Sequence, residues 1–320
     1  MNMRTKTIIL LAAVLAAAGC ADNNSKAEQI QALPFPDVVP PAMIDNQQDL
    51  LNYMAMNMWN GITDPSRTYH CDSLHISGVK KDDVEQKFAN WTNLLELAGM
   101  ETACKAVHRL YDRAVACEKK DTSSNVFEEF TKLVNKYLFD PNSPLRNEDF
   151  YGAYAEKMAG CPLLDEARKE RYAREARLCA LNKVGTKAAD FRFSDKRGKI
   201  RRLYDIKADH IVLFFSNPGC KACLEIINAI KGSEYLSDAV KEGRLAVLNI
   251  YIDEDLDEWR SYMPIYPEEW YNGFDPDYVI RTDQLYNVRA IPSLYLLDAD
   301  KKVMLKDATT EKLFGVLENL

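Results

Sequence analysis

The residues best suited to chemistry are two cysteines in the run Ser216-Asn217-Pro218-Gly219-Cys220-Lys221-Ala222-Cys223. Two thiols at this spacing share one face of a helix, one turn apart. At a helix N-terminus the first sulfur gains unpaired backbone N–H groups and the positive end of the helix dipole, which favour its thiolate. Lys221 adds a cation beside it and is read as tuning that thiol. Cys223, one turn in, is expected to be less exposed and placed to attack a mixed disulfide formed on Cys220. The chemistry this implies is thiol–disulfide exchange. Haem attachment would need histidine after the second cysteine, where Leu224 stands. A structural zinc would need two further ligands at suitable spacing. No metal and no cofactor are expected.

Such a pair must sit between a strand and a helix. The run 211–215 is continuously apolar, as are 245–252 (interrupted by Asn249) and 294–297. Runs of this kind suit strands buried on both faces of a sheet. Helical patterns fall between them at 222–230, continuing toward Val240, and at 256–263. A hairpin is expected over 189–202 with its turn at 195–198, and a strand at 303–306 leads into a last helix at 311–320. A second landmark is Asn287-Val288-Arg289-Ala290-Ile291-Pro292-Ser293-Leu294, which puts proline just before an apolar strand. Proline there would block ladder pairing, so it marks either an ordinary strand start or a bend that serves the cysteine pair.

Strand, CxxC, helix and the later Pro292 together resemble the thioredoxin fold over roughly residues 189–320. The leading hairpin and the insertion at 257–281 are similar to the TlpA/ResA branch, membrane-tethered thiol–disulfide oxidoreductases that work outside the cytoplasm. The resemblance implies that Pro292 is cis, a state of only about 5–6% of prolyl bonds. It also implies that Ile291 offers backbone groups to an extended substrate segment, in the manner of strand addition. The chain departs from that pattern in the pair between the cysteines, Lys221-Ala222, and at two further positions. Phe214 replaces the buried acid that assists proton transfer, and Gly219 replaces the aromatic residue before the first cysteine. Glu225 and Asp253 are candidate substitutes for the acid, although surface or structural roles suit them better.

Upstream, residues 46–184 read as an all-α domain. Val84, Phe88, Trp91, Leu95 and Ala98 form one apolar stripe, and Phe127, Phe130, Val134 and Tyr137 a second. Helices are expected at 47–60, 82–97, 101–118, 124–138, 148–158 and 163–181, with stops such as Asp64-Pro65, Gly99 and Gly160-Cys161-Pro162. Met54, Met56, Met58 and Trp59 read as core filling. This part resembles an uncharacterised domain fused ahead of such redox modules, and it shows no catalytic pattern. Cys71, Cys104, Cys117, Cys161 and Cys179 lie in it. Cys104 and Cys117 share a predicted helix about 20 Å apart and cannot bridge, and Cys161 and Cys179 are separated by about 25 Å. Bridges between different elements and buried free thiols both remain open. His70, Cys71 and His75 imitate metal ligands without a second ligand pair, so they read as loop decoration.

The chain has 320 residues, 47% hydrophobic and 28% charged, with a formal charge of −7. That is an ordinary two-domain globular composition with no basic face for nucleic acid. Residues 1–19 carry Arg4 and Lys6, then an apolar stretch too short to span a bilayer, and end in Ala17-Ala18-Gly19 before Cys20. This resembles the lipobox of bacterial lipoproteins, which implies lipidation of Cys20 and a location in the cell envelope, facing the periplasm or the exterior. Residues 20–45, polar and then proline-rich, read as a tether. The whole is an α+β two-domain chain: signal peptide 1–19, tether 20–45, helical domain 46–184, thioredoxin-like α/β domain 185–320. Its expected partners are protein disulfides or thiols, a membrane thiol electron donor, and the membrane through the anchor. The rival reading is a binding or assembly lipoprotein whose thioredoxin-like part is a redox-inert scaffold.

Overall fold

The computed structural model describes residues 31–66 and 71–319. Cys20, the leader and His70 lie outside the described residues. Among the described residues no helix is long and apolar enough to cross a membrane.

The helical part comprises α1 (Gln47–Asn57), α2 (Lys81–Ala98), α3 (Met100–Lys120), α4 (Val126–Val134), α5 (Glu148–Ala159) and α6 (Glu166–Cys179). A π-helical turn, Asn135–Phe139, extends α4, so its apolar stripe runs on to the buried Leu138. The part is not purely α. A two-residue hairpin, β1 (His75–Ile76) and β2 (Val79–Lys80), precedes α2. Helix starts follow from side-chain caps: Asn46, Asn147 and Asp165 each accept from backbone N–H groups of the first turn. Trp59, Phe88, Trp91 and Phe130 meet at the centre, with the Trp59 and Phe130 ring centroids 4.8 Å apart. Trp91 Nε1 donates to the Ala55 carbonyl at 2.9 Å, which satisfies its one polar atom. Trp59 is core, and Met56 and Met58 pack against it. The segment read as a tether is attached from Leu33 onward: Leu33 N donates to Gly78 O at 2.8 Å, and Phe35 packs edge-on against Trp59.

The second part is a seven-stranded mixed sheet. Its strands are β3 (Arg192–Asp195), β4 (Ile200–Arg202), β5 (His210–Phe215), β6 (Leu245–Tyr251), β7 (Tyr271–Phe274), β8 (Ser293–Asp298) and β9 (Val303–Leu305), in the order β4-β3-β7-β6-β5-β8-β9. β5, β6 and β7 are parallel, and the outer pairs are antiparallel. The helices are α7 (Lys221–Gly232), α8 (Glu234–Lys241), α9 (Leu256–Tyr262), α10 (Val279–Thr282) and α11 (Thr310–Leu317). Val212, Phe214, Val247 and Leu296 face a core with Ile226, Ile227, Ile230 and Leu313. Ile211, Leu213, Phe215 and Leu248 face the other core, with Phe191, Phe193 and Tyr286. Burial on both faces is why these strands are unbroken apolar runs.

The expected hairpin is present as β3 and β4, but β7 was not expected. It lies inside the insertion, and it joins the hairpin to the sheet. At Gly273 an added Cβ would meet Phe193 Cδ2 at 2.7 Å and Ser194 O at 2.9 Å, so glycine allows the close approach of β7 to β3. Residues from Leu33 to Leu320 form one compact unit, so the helical and sheet parts are packed together.

Candidate active site

β5 ends at Phe215, and the chain turns through Ser216–Gly219 into α7. Gly219 has φ +71°, a left-handed backbone that side-chain-bearing residues rarely adopt, which accounts for glycine where the resemblance expects an aromatic. Cys220 is the N-cap of α7, and its Sγ accepts from the Cys223 N–H at 3.1 Å. Cys220 and Cys223 are joined by a disulfide with Cα atoms 5.2 Å apart. Cys220 is half-buried, whereas Cys223 is 2% exposed among Ile226, Ile227 and Leu294. Lys221, the first residue of α7, is exposed beside the pair.

The Ile291–Pro292 bond is cis. In the β5–β8 register Phe215 stands opposite Ser293, so Pro292 lies at the sheet end where β5 hands the chain to the cysteines. Ile291 and Cys220 both pack on the cluster that buries Cys223. The proline landmark and the cysteine pair thus lie at the same end of β5 and β8.

Phe214 is fully buried on the α7 side, so no acid occupies that face at its position. Glu225 is exposed on α7. Asp253 accepts from Asn217 Nδ2 at 2.5 Å and pairs with Arg281, so it tethers the loop that leads to Cys220. Beneath the loop lies a polar chain that the sequence showed only as an interruption in a strand. Ser216 donates to Asn249 Oδ1, Asn249 Nδ2 donates to Asn272 Oδ1 at 3.2 Å, and Asn272 Nδ2 donates to Pro267 O at 2.7 Å. Ser216 and Asn249 are each 1% exposed. The Tyr266 hydroxyl is buried beside them, and burial raises its pKa above the ordinary tyrosine value.

The five cysteines of the helical part are free thiols. Burial raises the Cys104 and Cys117 thiols and pushes Cys179 up to about 12, which keeps them protonated and poor nucleophiles. His75 Nδ1 is paired with Asp72 at 2.9 Å. The charged cluster of Glu148, Arg289, Lys306 and Asp307 leaves no local signature in the sequence, because its members lie far apart in the chain.

Residues 17–182 match the family described as "Domain of unknown function (DUF5106)". No curated protein matches the chain. The crystal structure of a thioredoxin-like protein from Bacteroides caccae is similar at 35% identity and a TM-score of 0.77, covering 89% of this chain and 98% of that one. The C-terminal domain of an uncharacterised protein from Bacteroides fragilis is 44% identical over 43% of this chain and 98% of its own, with a TM-score of 0.41. A conserved protein of unknown function from Bacteroides fragilis is 38% identical over 42% of this chain and 98% of its own, also with a TM-score of 0.41. The match over 17–182 and the likeness along nearly the whole Bacteroides caccae chain agree with the architecture described above, and the chain belongs to the DUF5106 family and, with that relative, to the thioredoxin-like proteins.

Proposed function

We propose that the protein is a thiol–disulfide oxidoreductase of the cell envelope, anchored through a lipidated Cys20 and facing the periplasm or the exterior. The observation that carries the exchange chemistry is the placement of Cys220 as the N-cap of α7, with Cys223 buried one turn behind and the Pro292 loop at the same sheet end. In the reduced state the Cys220 thiolate attacks one sulfur of a substrate disulfide. An S–S bond forms between Cys220 and the substrate, and the other substrate sulfur leaves as a thiolate that takes a proton. Cys223 then loses its proton and attacks Cys220 Sγ. The second substrate thiol is released and the Cys220–Cys223 disulfide is formed. The substrate has gained two electrons from the cysteine pair and two protons, one from Cys223 and one from water. Helix N–H groups and Lys221 favour the attacking thiolate, and Ile291 with Pro292 shapes the docking site.

Reduction is the proposed direction, on the strength of the TlpA/ResA resemblance. A thiol-bearing membrane protein would return the disulfide to the dithiol. The test is reduction of insulin by the reduced chain, with Cys220→Ser and Cys223→Ser compared. Loss of turnover in Cys220→Ser and a trapped mixed disulfide in Cys223→Ser are expected. Equal inactivity of the parent and both variants would leave the cysteine pair an inert bridge in a binding or assembly lipoprotein.

A further inference from the structure

Exchange at Cys220 and Cys223 needs none of the helices α1–α6, yet those helices reach the loop that carries Pro292. Glu148, the first residue of α5, has a side chain 0% exposed. Its Oε1 accepts from Arg289 Nε at 2.7 Å and from Asn287 Nδ2 at 2.7 Å, and its Oε2 pairs with Lys306 Nζ at 3.1 Å. Arg289 continues to Asp307 Oδ2 at 2.8 Å, donates to the Phe139 carbonyl, and lies 4.5 Å over the Phe139 ring. One carboxylate of the helical part therefore holds the loop before Ile291–Pro292 at two points. A buried ion cluster is weak evidence for stability, although removing one of its members leaves the others charged and unpaired.

A cleft of about 290 Å³ adjoins the same loop, lined by Val288, Ala290 and Ile291, by Arg281, and by Leu178 of α6. We propose that the helical part belongs to the docking apparatus for protein disulfides. Glu148 is a positioning residue that fixes the Pro292 loop, and Leu178 lines the cleft in which the extended chain of a disulfide-bearing protein lies against Ile291. This rests on the exchange function proposed above.

The test uses the full chain, with insulin as a protein disulfide and 2-hydroxyethyl disulfide as a small one. Misplacing a docking element lowers the rate for the substrate that needs it. Glu148→Gln is expected to raise KM for insulin about tenfold, and Leu178→Ala about fivefold, each with kcat within about twofold. Reduction of 2-hydroxyethyl disulfide is expected to stay within about twofold of the parent in both variants. Thermal melting shows whether Glu148→Gln folds, and if it does not, Leu178→Ala decides alone, because it leaves the ion cluster intact. An unchanged KM for insulin, or parallel loss on both substrates in a cooperatively melting variant, overturns the proposal while the exchange function stands. A parent chain that reduces neither substrate refutes the exchange function itself, and the proposal with it.

Discussion

Replacing Asn249 with alanine removes the middle of the polar chain beneath the cysteine loop. Ser216 then loses its acceptor and Asn272 its donor, in a region where Ser216 and Asn249 are each 1% exposed. An orphaned buried hydroxyl costs about 1–3 kcal/mol, and the second lost hydrogen bond about 1 kcal/mol. Asn272 keeps its bond to Pro267 O, so its share is the smaller. The variant should lose about 3 kcal/mol, or about 6 °C in Tm for a chain of this size. Ser216→Ala alone should cost about 1 kcal/mol. The double variant should lose about 2 kcal/mol, less than the sum and less than Asn249→Ala alone, because deleting the hydroxyl relieves the orphan that Asn249→Ala creates. Urea unfolding of the oxidised protein, followed by far-UV circular dichroism, reads all three. Additive single effects, or an Asn249→Ala cost below about 0.5 kcal/mol, would refute the coupling of these groups.

Gly273→Ala places a methyl group against Phe193 and Ser194 O, and should destabilise by about 1–3 kcal/mol in the same unfolding experiment. Glu129 is held below its ordinary pKa: burial opposes this, but Lys132 and Lys81 outweigh it. A carboxyl lowered in the fold stabilises it above the unfolded value and loses that contribution as pH falls through the folded value. Glu129→Gln should therefore lower Tm near neutral pH by an amount worth about 1 kcal/mol or less, and the deficit should vanish on acidification. In alkylation followed by peptide mass analysis, the oxidised folded chain should leave Cys117, Cys161 and Cys179 unmodified, and reduction should expose Cys220 ahead of Cys223.

Much of the architecture was legible because local signals and burial agreed. The stripe from Val84 to Ala98 became a helix with those residues buried, and the apolar runs at 211–215 and 245–252 became central strands. The cysteine pair and Pro292 were legible as motifs, and sheet register brings them to the same end of β5 and β8. β7 escaped because Tyr271–Phe274 is short and carries a glycine, so only its neighbours identify it as a strand. The Glu148 cluster escaped for a different reason. Glu148 reads as an ordinary first-turn acid of a helix, and its partners lie more than a hundred residues downstream. The attachment of residues from Leu33 onward escaped because a proline-rich stretch without periodicity looks the same whether packed or free.

The most direct measurement is the reduction potential of the Cys220–Cys223 couple, obtained by equilibrating the chain in redox buffers and quantifying both forms. A half-exposed N-cap sulfur serving as a reductant predicts a value near the thioredoxin range of about −270 mV. A value near about −120 mV would reverse the direction, and one below about −300 mV, where structural disulfides lie, would contradict exchange altogether.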